Sequence, residues 1–494
     1  MFNRIIKIMH KLKRILMILF AVGLVSCQST KQKETKQPNV ILIVADDLGW
    51  MDLGYSCSNF YETPNIDALA ASGMTFTDAY AASPVCSPTR SSIMCGKAPA
   101  RTKNTDWFGA PQPDTKFPGW MGHKNRTLEP AYYVEHMPLE EITIAEALRD
   151  KGYKTFIAGK WHLGHEEEYW PENQGFEINK GGFSMGYPPL NDEADGYFSP
   201  YGNPRLNDGP KGEYLPYRLL DETRKFIQEN KDEPFFIYYS FYLVHTPIQA
   251  REELIAKYQQ KRDSLKLTDE FVDFGEKKLR TVQSNVAYAA MIETMDQVVG
   301  KIAEEVKESN IDENTIIIFT ADNGGLSTNW APTSNLPLKG GKGWVYEGGI
   351  REPMFVVWPG ITKPESKCSE PVLTTDFYRT IVEMTGIEQP PQQALDGASL
   401  VPLLKQVEGF DRKAICWHYP HYSPQGGKPA SAIRSGDWKL IKSYETNQVE
   451  LYNLKADIGE TKNLSEEHIE LKQRLETELN DWLKEVDASM PSRK

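Results

Sequence analysis

Cys86 stands in the stretch Ala82-Ser-Pro-Val-Cys86-Ser-Pro-Thr-Arg90-Ser-Ser, a polar turn followed by a short apolar run that predicts the start of a helix. Such a start presents unpaired backbone N–H groups and a positive dipole end, which stabilise an anionic group. Arg90 adds a fork of donors that matches a tetrahedral oxyanion. A cysteine so placed is a candidate nucleophile, against the plainer reading of a buried thiol beside a turn.

Other groups share this company. Asp46-Asp47 and Asp322-Asn323 offer three carboxylates and an amide oxygen. An all-oxygen set of this kind suits a hard divalent cation, calcium before magnesium or manganese. Zinc would usually bring histidine or thiolate ligands, and no histidine adjoins these aspartates. Lys160, His162, His245 and Lys342 are the cationic or titratable candidates. A metal flanked by cations neutralises a phosphoryl or sulfuryl group and its leaving oxygen, and histidine suits proton shuttling near neutral pH. Lys342 lies in Gly-Gly-Lys-Gly without the frame of a phosphate-binding loop, which argues against nucleotide binding.

The elements that must position these groups are legible as runs and periodicities. Asn39–Val44, Lys154–Ala158, Phe235–Tyr239 and Thr315–Phe319 read as buried strands, and Met354–Trp358 as a further one. Helical spacing marks 63–72, 143–151, 219–230 and a long stripe from Tyr288 to Ile302. The alternation predicts an α/β fold with a large, mostly parallel or mixed sheet flanked by helices. Asp46-Asp47, Lys160 with His162, His245 and Asp322-Asn323 each fall just beyond a strand. Ligands bind outside the carboxyl ends of such strands, so these residues are expected at one shared edge. Beyond residue 405 short strands and a final amphipathic helix over 465–486 predict a smaller α+β unit, giving expected domains of 38–405 and 406–494.

Residues 1–27 read as an export signal. Arg4, Lys7, Lys11, Lys13 and Arg14 precede an apolar core from Ile15 to Val25. Leu24-Val-Ser-Cys27 matches the bacterial lipoprotein box, which would make Cys27 the lipidated first residue, followed by a polar tether over 28–37. The expected location is the periplasm or outer-membrane surface, with only the N-terminal lipid touching the membrane. Loss of the basic segment takes the net charge from −12 to −17, which argues against nucleic acid as a partner. Five scattered cysteines remain, too few for a disulfide scaffold and without zinc-finger spacing.

Taken together, Cys86-Ser-Pro-Thr-Arg90, Ala45-Asp-Asp47, Gly159-Lys-Trp-His162 and Ala321-Asp-Asn-Gly324 resemble the formylglycine-dependent sulfatases of the alkaline phosphatase superfamily. The resemblance runs from Asn39 to Arg351 and continues more weakly through Leu395-Asp-Gly-Ala-Ser399. It departs from the family at Cys95-Gly-Lys97, where threonine commonly precedes the glycine. The resemblance implies that a maturation enzyme oxidises Cys86 to formylglycine (3-oxoalanine), whose hydrate attacks sulfur. It also implies that Asp46, Asp47, Asp322 and Asn323 bind Ca2+ with the modified residue 86. Arg90 and Lys160 would hold the hydrate, and Lys160, His245 and Lys342 would bind the sulfate. His245 and Lys342 would also assist the leaving alcohol, and His162 would take the proton that lets the aldehyde reform.

The expected substrate is a sulfated glycan, with galactose or N-acetylgalactosamine sulfate as the specific expectation. Aromatic loops at Trp107–Trp120, Tyr132-Tyr133 and Tyr187–Tyr201 are candidate sugar platforms or loop anchors, and His418 of Trp417-His-Tyr-Pro-His421 is a candidate sugar contact. Two rival readings stay open on the residues: a phosphodiesterase or phosphonate hydrolase of the same superfamily, and an inactive glycan-binding lipoprotein.

Overall fold

The computed structural model describes residues 1–23, 36–123, 126–328 and 331–494 and divides into two units, Met1–Gln37 and Pro38–Lys494. The first unit carries helix α1 (Phe2–Gly23); the lipidation candidate Cys27 lies outside the described residues. Among the described residues no helix is long and apolar enough to cross a membrane.

The second unit is built on a nine-stranded sheet. Its strands are β1 (Asn39–Ala45), β2 (Met74–Tyr80), β3 (Lys154–Gly159), β4 (Ile178–Lys180), β5 (Phe235–Ser240), β6 (Thr315–Ala321), β7 (Arg351–Val357), β8 (Ser366–Cys368) and β9 (Val372–Leu373). The order is β8-β2-β7-β6-β1-β5-β3-β4, with β9 also on β2. Strands β6, β1, β5, β3 and β4 run parallel; β7 is antiparallel to both β6 and β2. Strands β1, β5 and β6 are buried along their whole length, as expected for unbroken apolar runs covered on both faces.

Helices cover both faces. On one side α2 (Pro64–Ala71), α5 (Leu215–Asn230) and α6 (Val286–Glu308) pack with Ile41, Ile43 and Ile237 into one core. On the other, α3 (Cys86–Cys95), α4 (Ile144–Arg149) and α7 (Asp376–Thr385) meet Val40, Leu42 and Ile316. Thr143 starts α4 with a full capping box, its hydroxyl accepting from Glu146 N while the Glu146 carboxylate accepts from Thr143 N.

A second, four-stranded antiparallel sheet follows: β10 (Ile415–Tyr419), β11 (Ala430–Ser435), β12 (Trp438–Ser443) and β13 (Val449–Asn453), backed by α8 (Ile469–Glu485). This subdomain belongs to the same compact unit as the large sheet. Its Trp417, fully buried, packs on Tyr80 and donates its indole N–H to Ala81 O. The five described cysteines are all free thiols.

Candidate active site

Register explains why the aspartates meet. Strands β1 and β6 pair Asn39 with Thr315 through to Ala45 with Ala321, so Asp46 and Asp322 emerge side by side. Parallel β3 and β5 release Lys160 and the approach to His245 at the same edge. Strand β2 also points its carboxyl end there and leads into Cys86, the first residue of α3; antiparallel β7 begins there, after the segment that carries Lys342. The chain must turn sharply as it leaves the sheet. Asp47 and His162 both adopt left-handed backbone, φ 59° and 58°, a conformation uncommon outside glycine and concentrated at functional sites.

The result is a buried ionic cluster. Ligand atoms of Asp46, Asp47, Asp322 and Cys86 lie within 4.8 Å of one another. Asn323 donates from its amide nitrogen to Asp47 Oδ1 at 2.8 Å, while its buried Oδ1 has no hydrogen-bond partner. Lys160 Nζ sits 2.9 and 2.8 Å from the two oxygens of Asp46. Arg90 places Nε and Nη2 both 2.7 Å from Asp322 Oδ2, and Nη1 reaches Ser240 Oγ. Lys342 Nζ is 2.7 Å from Asp47 Oδ1, and His245 Nε2 is 3.7 Å from Asp47 Oδ2.

The electrostatics follow from this crowding. Burial pushes the Asp46 carboxyl well above its usual range, against the pull of Lys160. Burial also acts on Asp47 and Asp322, but Lys342 holds the first and Arg90 the second below the ordinary carboxylate value. Burial pushes the Cys86 thiol up to about 12, so the sulfur is not an activated thiolate. Burial, then Lys160, depresses His162, and burial, then Lys342, depresses His245; both rings are neutral near pH 7.

A cavity of about 380 Å³ opens in front of Cys86, and His162, His245 and Lys342 line it. Lys160 and Arg90 do not. Both are fully buried, Lys160 paired with Asp46 and Arg90 with Asp322. His418, expected as a sugar contact, does not line the cavity. It is 4% exposed, with Nδ1 2.8 Å from Ser431 Oγ and Nε2 2.9 Å from Ser489 O. It lies inside the C-terminal subdomain because strand alternation turns it toward its cross-strand partner Ser431.

Three supporting residues had no signal of their own. Ser87 fills the variable position after Cys86; its hydroxyl meets His162 Nδ1 at 3.2 Å and accepts from Phe108 N. Phe108 O takes the other ring nitrogen of His162 at 3.1 Å, so His162 carries its proton on Nε2. Gly186 passes so close to His162 that a Cβ there would stand 2.6 Å from the ring. Of the aromatic loops, Trp107, Trp120 and Tyr187 reach the cavity wall, whereas Tyr133, Tyr197 and Tyr201 are buried as loop anchors.

Comparison with known proteins converges on one family. The sulfatase model matches residues 38–387, and the model described as N-sulphoglucosamine sulphohydrolase, C-terminal, matches 341–487. A sulfatase of Formosa agariphila is 31% identical, covering 96% of this chain and 94% of its own. The N-acetylgalactosamine-6-sulfatase of Mus musculus is 27% identical over 93% of this chain and 82% of its own. The solved structure of Ps i-CgsB superposes with a TM-score of 0.73 at 29% identity, covering 90% of this chain and 93% of that one. The same protein in complex with k-i-k-neocarrahexaose gives 0.71 at 28% identity. The large mixed sheet with its C-terminal subdomain is the alkaline phosphatase-like fold, and the chain is an enzyme that belongs to the sulfatase family.

Proposed function

We propose that this sulfatase removes sulfate from a sulfated carbohydrate, using Ca2+ and a formylglycine made from Cys86 by a maturation enzyme. The convergence of Asp46, Asp47, Asp322 and Cys86 within 4.8 Å, with Cys86 lining the cavity, carries this reading. The residues fit a hard cation. Three carboxylates crowd together with a raised Asp46, and Asn323 Oδ1 is buried without a partner, so a divalent ion would relieve both strains. Asp46, Asp47, Asp322 and Asn323 would hold it together with residue 86. When bound, the ion and the aldehyde hydrate supply charge neutralisation at the sulfuryl oxygens and a nucleophilic hydroxyl.

The chain's own residues then divide the work. Lys342 and His245 face the cavity beside Asp47 and would bind the sulfate oxygens. Arg90 pairs with Asp322 and Lys160 with Asp46, so these two cations offset part of the carboxylate charge around residue 86. His162 is neutral, with the lone pair of Nδ1 directed at Ser87 Oγ, so it can accept a proton delivered at that atom. Residue 86 is only 2% exposed, which limits access of bulk water to the reacting centre.

A relative named N-acetylgalactosamine-6-sulfatase and a neighbour solved in complex with k-i-k-neocarrahexaose both support a carbohydrate ester, with galactose or N-acetylgalactosamine sulfate favoured. The N-terminal signal and Cys27 support export and lipid anchoring, in the periplasm or at the outer-membrane surface. The test is mass spectrometry of the peptide spanning residue 86, with turnover of sulfate and phosphate esters of one alcohol by the wild type and Cys86→Ala. An aldehyde at residue 86, sulfate preference and an inactive variant are expected; an unmodified thiol in active protein would overturn the scheme.

A further inference from the structure

The turn that carries Asp47 away from the sheet closes on a fully buried carboxylate, Asp52, which accepts two hydrogen bonds at each oxygen. Oδ2 takes Gly49 N at 2.9 Å and the Tyr288 hydroxyl at 2.7 Å. Oδ1 takes the Thr333 hydroxyl at 2.6 Å and Gln283 Nε2 at 3.0 Å. Asp52 N donates back to Gly49 O at 3.0 Å, so the turn is tied at both ends. The donors are all neutral, and together they fill the acceptor sites of an ionised carboxylate.

One of those donors leads to the ionic cluster. The Tyr288 hydroxyl, at the start of α6, also lies 3.3 Å from Asp47 O. It joins Asp52 to the backbone of Asp47, which is held in the left-handed conformation. Asp46, Asp47 and Asp322 repel one another across their 4.8 Å cluster, a force that pushes the loop bearing Asp47 away from it. Ligands must be kept close against that repulsion before a cation arrives if the site is to bind tightly. Asp52 is neither a member of the cluster nor part of the cavity wall.

We propose that Asp52 is a positioning residue for the cation: by fastening Gly49 and Tyr288 it holds Asp47 ready for calcium without being a ligand or touching substrate. This rests on the calcium reading above and adds the residue that prepares the site.

The experiment uses the mature enzyme stripped with a chelator, its calcium Kd measured by competition with a chromophoric chelator. Asp52→Asn keeps the shape but turns an NH2 toward two of the four donors, and is expected to raise the Kd about 10- to 100-fold. Tyr288→Phe removes one hydroxyl and raises it in the same direction; it decides the matter if Asp52→Asn does not fold. The control is Asp296→Asn. Asp296 is as buried on α6, but it accepts from Ile66 N and Asn65 Nδ2 of α2, so its loss lowers the thermal midpoint without moving the Kd. Hydrolysis of 4-nitrophenyl sulfate by Asp52→Asn recovers as calcium is raised, which a general loosening of the fold would not produce. An unchanged Kd in Tyr288→Phe or in folded Asp52→Asn, or an equal rise in Asp296→Asn, overturns the proposal while calcium binding by the wild type leaves the underlying reading standing. A wild type that binds no calcium overturns both.

Discussion

Lys342 Nζ lies 2.7 Å from Asp47 Oδ1 and 2.8 Å from Oδ2, so the cation that faces the cavity is anchored by a member of the carboxylate cluster. Burial works against its charge, yet Asp47 holds the ammonium's pKa above its usual value. Lys342 therefore stays charged at the cavity wall, and the proposed function puts the sulfate oxygens against it. Lys342→Met removes that charge and leaves Asp47 without its nearest partner. The variant is expected to lose about 100- to 1,000-fold in kcat on a sulfate ester, with far-UV circular dichroism unchanged. Activity within a few-fold of wild type would exclude Lys342 from the reacting centre.

Three carboxylates drawn within 4.8 Å make the same cluster a test of metal dependence. A cation that binds the folded state alone stabilises it by about 2.7 kcal/mol at one hundred times its Kd. Treatment with a calcium chelator is expected to lower the thermal midpoint and abolish hydrolysis, and added calcium to restore both. Asp322→Ala should show the same midpoint with and without calcium. A wild-type midpoint indifferent to chelation would count against a cation at this site.

Gly186 supplies a steric prediction. An added Cβ would lie 2.6 Å from His162 Cε1 and 2.7 Å from Nδ1, and His162 is already pinned at both nitrogens by Ser87 and Phe108. The ring cannot yield without breaking one of those bonds. Gly186→Ala is expected to lower kcat by about 10- to 100-fold through displacement of His162. An unperturbed kcat would mean that the ring's position does not matter to turnover.

What the sequence made legible depended on how each residue's environment is written locally. Strands β1, β5 and β6 are unbroken apolar runs, and their register alone brings Asp46 beside Asp322, so the acidic floor was readable. Strand β2, Met-Thr-Phe-Thr-Asp-Ala-Tyr, mixes buried and half-buried positions and has no such run, so nothing in its sequence marks the strand that delivers Cys86. Position at a strand end also says nothing of depth. Lys160 and His162 are two residues apart, yet Lys160 turns inward to Asp46 while His162 reaches the cavity. Nor does a histidine set between aromatics in sequence have to lie at a rim: pairing with Ser431 across β10 and β11 carries His418 inside.

A last prediction concerns the join between the large sheet and the C-terminal subdomain. Lys439 Nζ is 2.9 Å from both Glu347 Oε1 and Glu460 Oε1, and all three side chains are fully buried. One ammonium cannot fully serve two carboxylates. Despite burial, Lys439 and Arg351 hold Glu347 down to about 2, whereas burial pushes Glu460 up to about 7, against Lys439 and with the neighbouring Glu347 charge adding to the rise. Because the folded pKa of Glu460 lies above its ordinary 4.5, the unfolded chain gives up this proton first as pH rises. Its contribution to stability is complete below about 4.5 and is lost as pH climbs through about 7. Glu347 has the opposite sign, but its loss falls below about 4.5, outside this window. Glu460→Gln keeps the shape without the titration, so the wild type should lose thermal midpoint relative to the variant between pH 5 and 8. A difference in midpoint that stays constant across that range would show that the shared lysine satisfies both carboxylates.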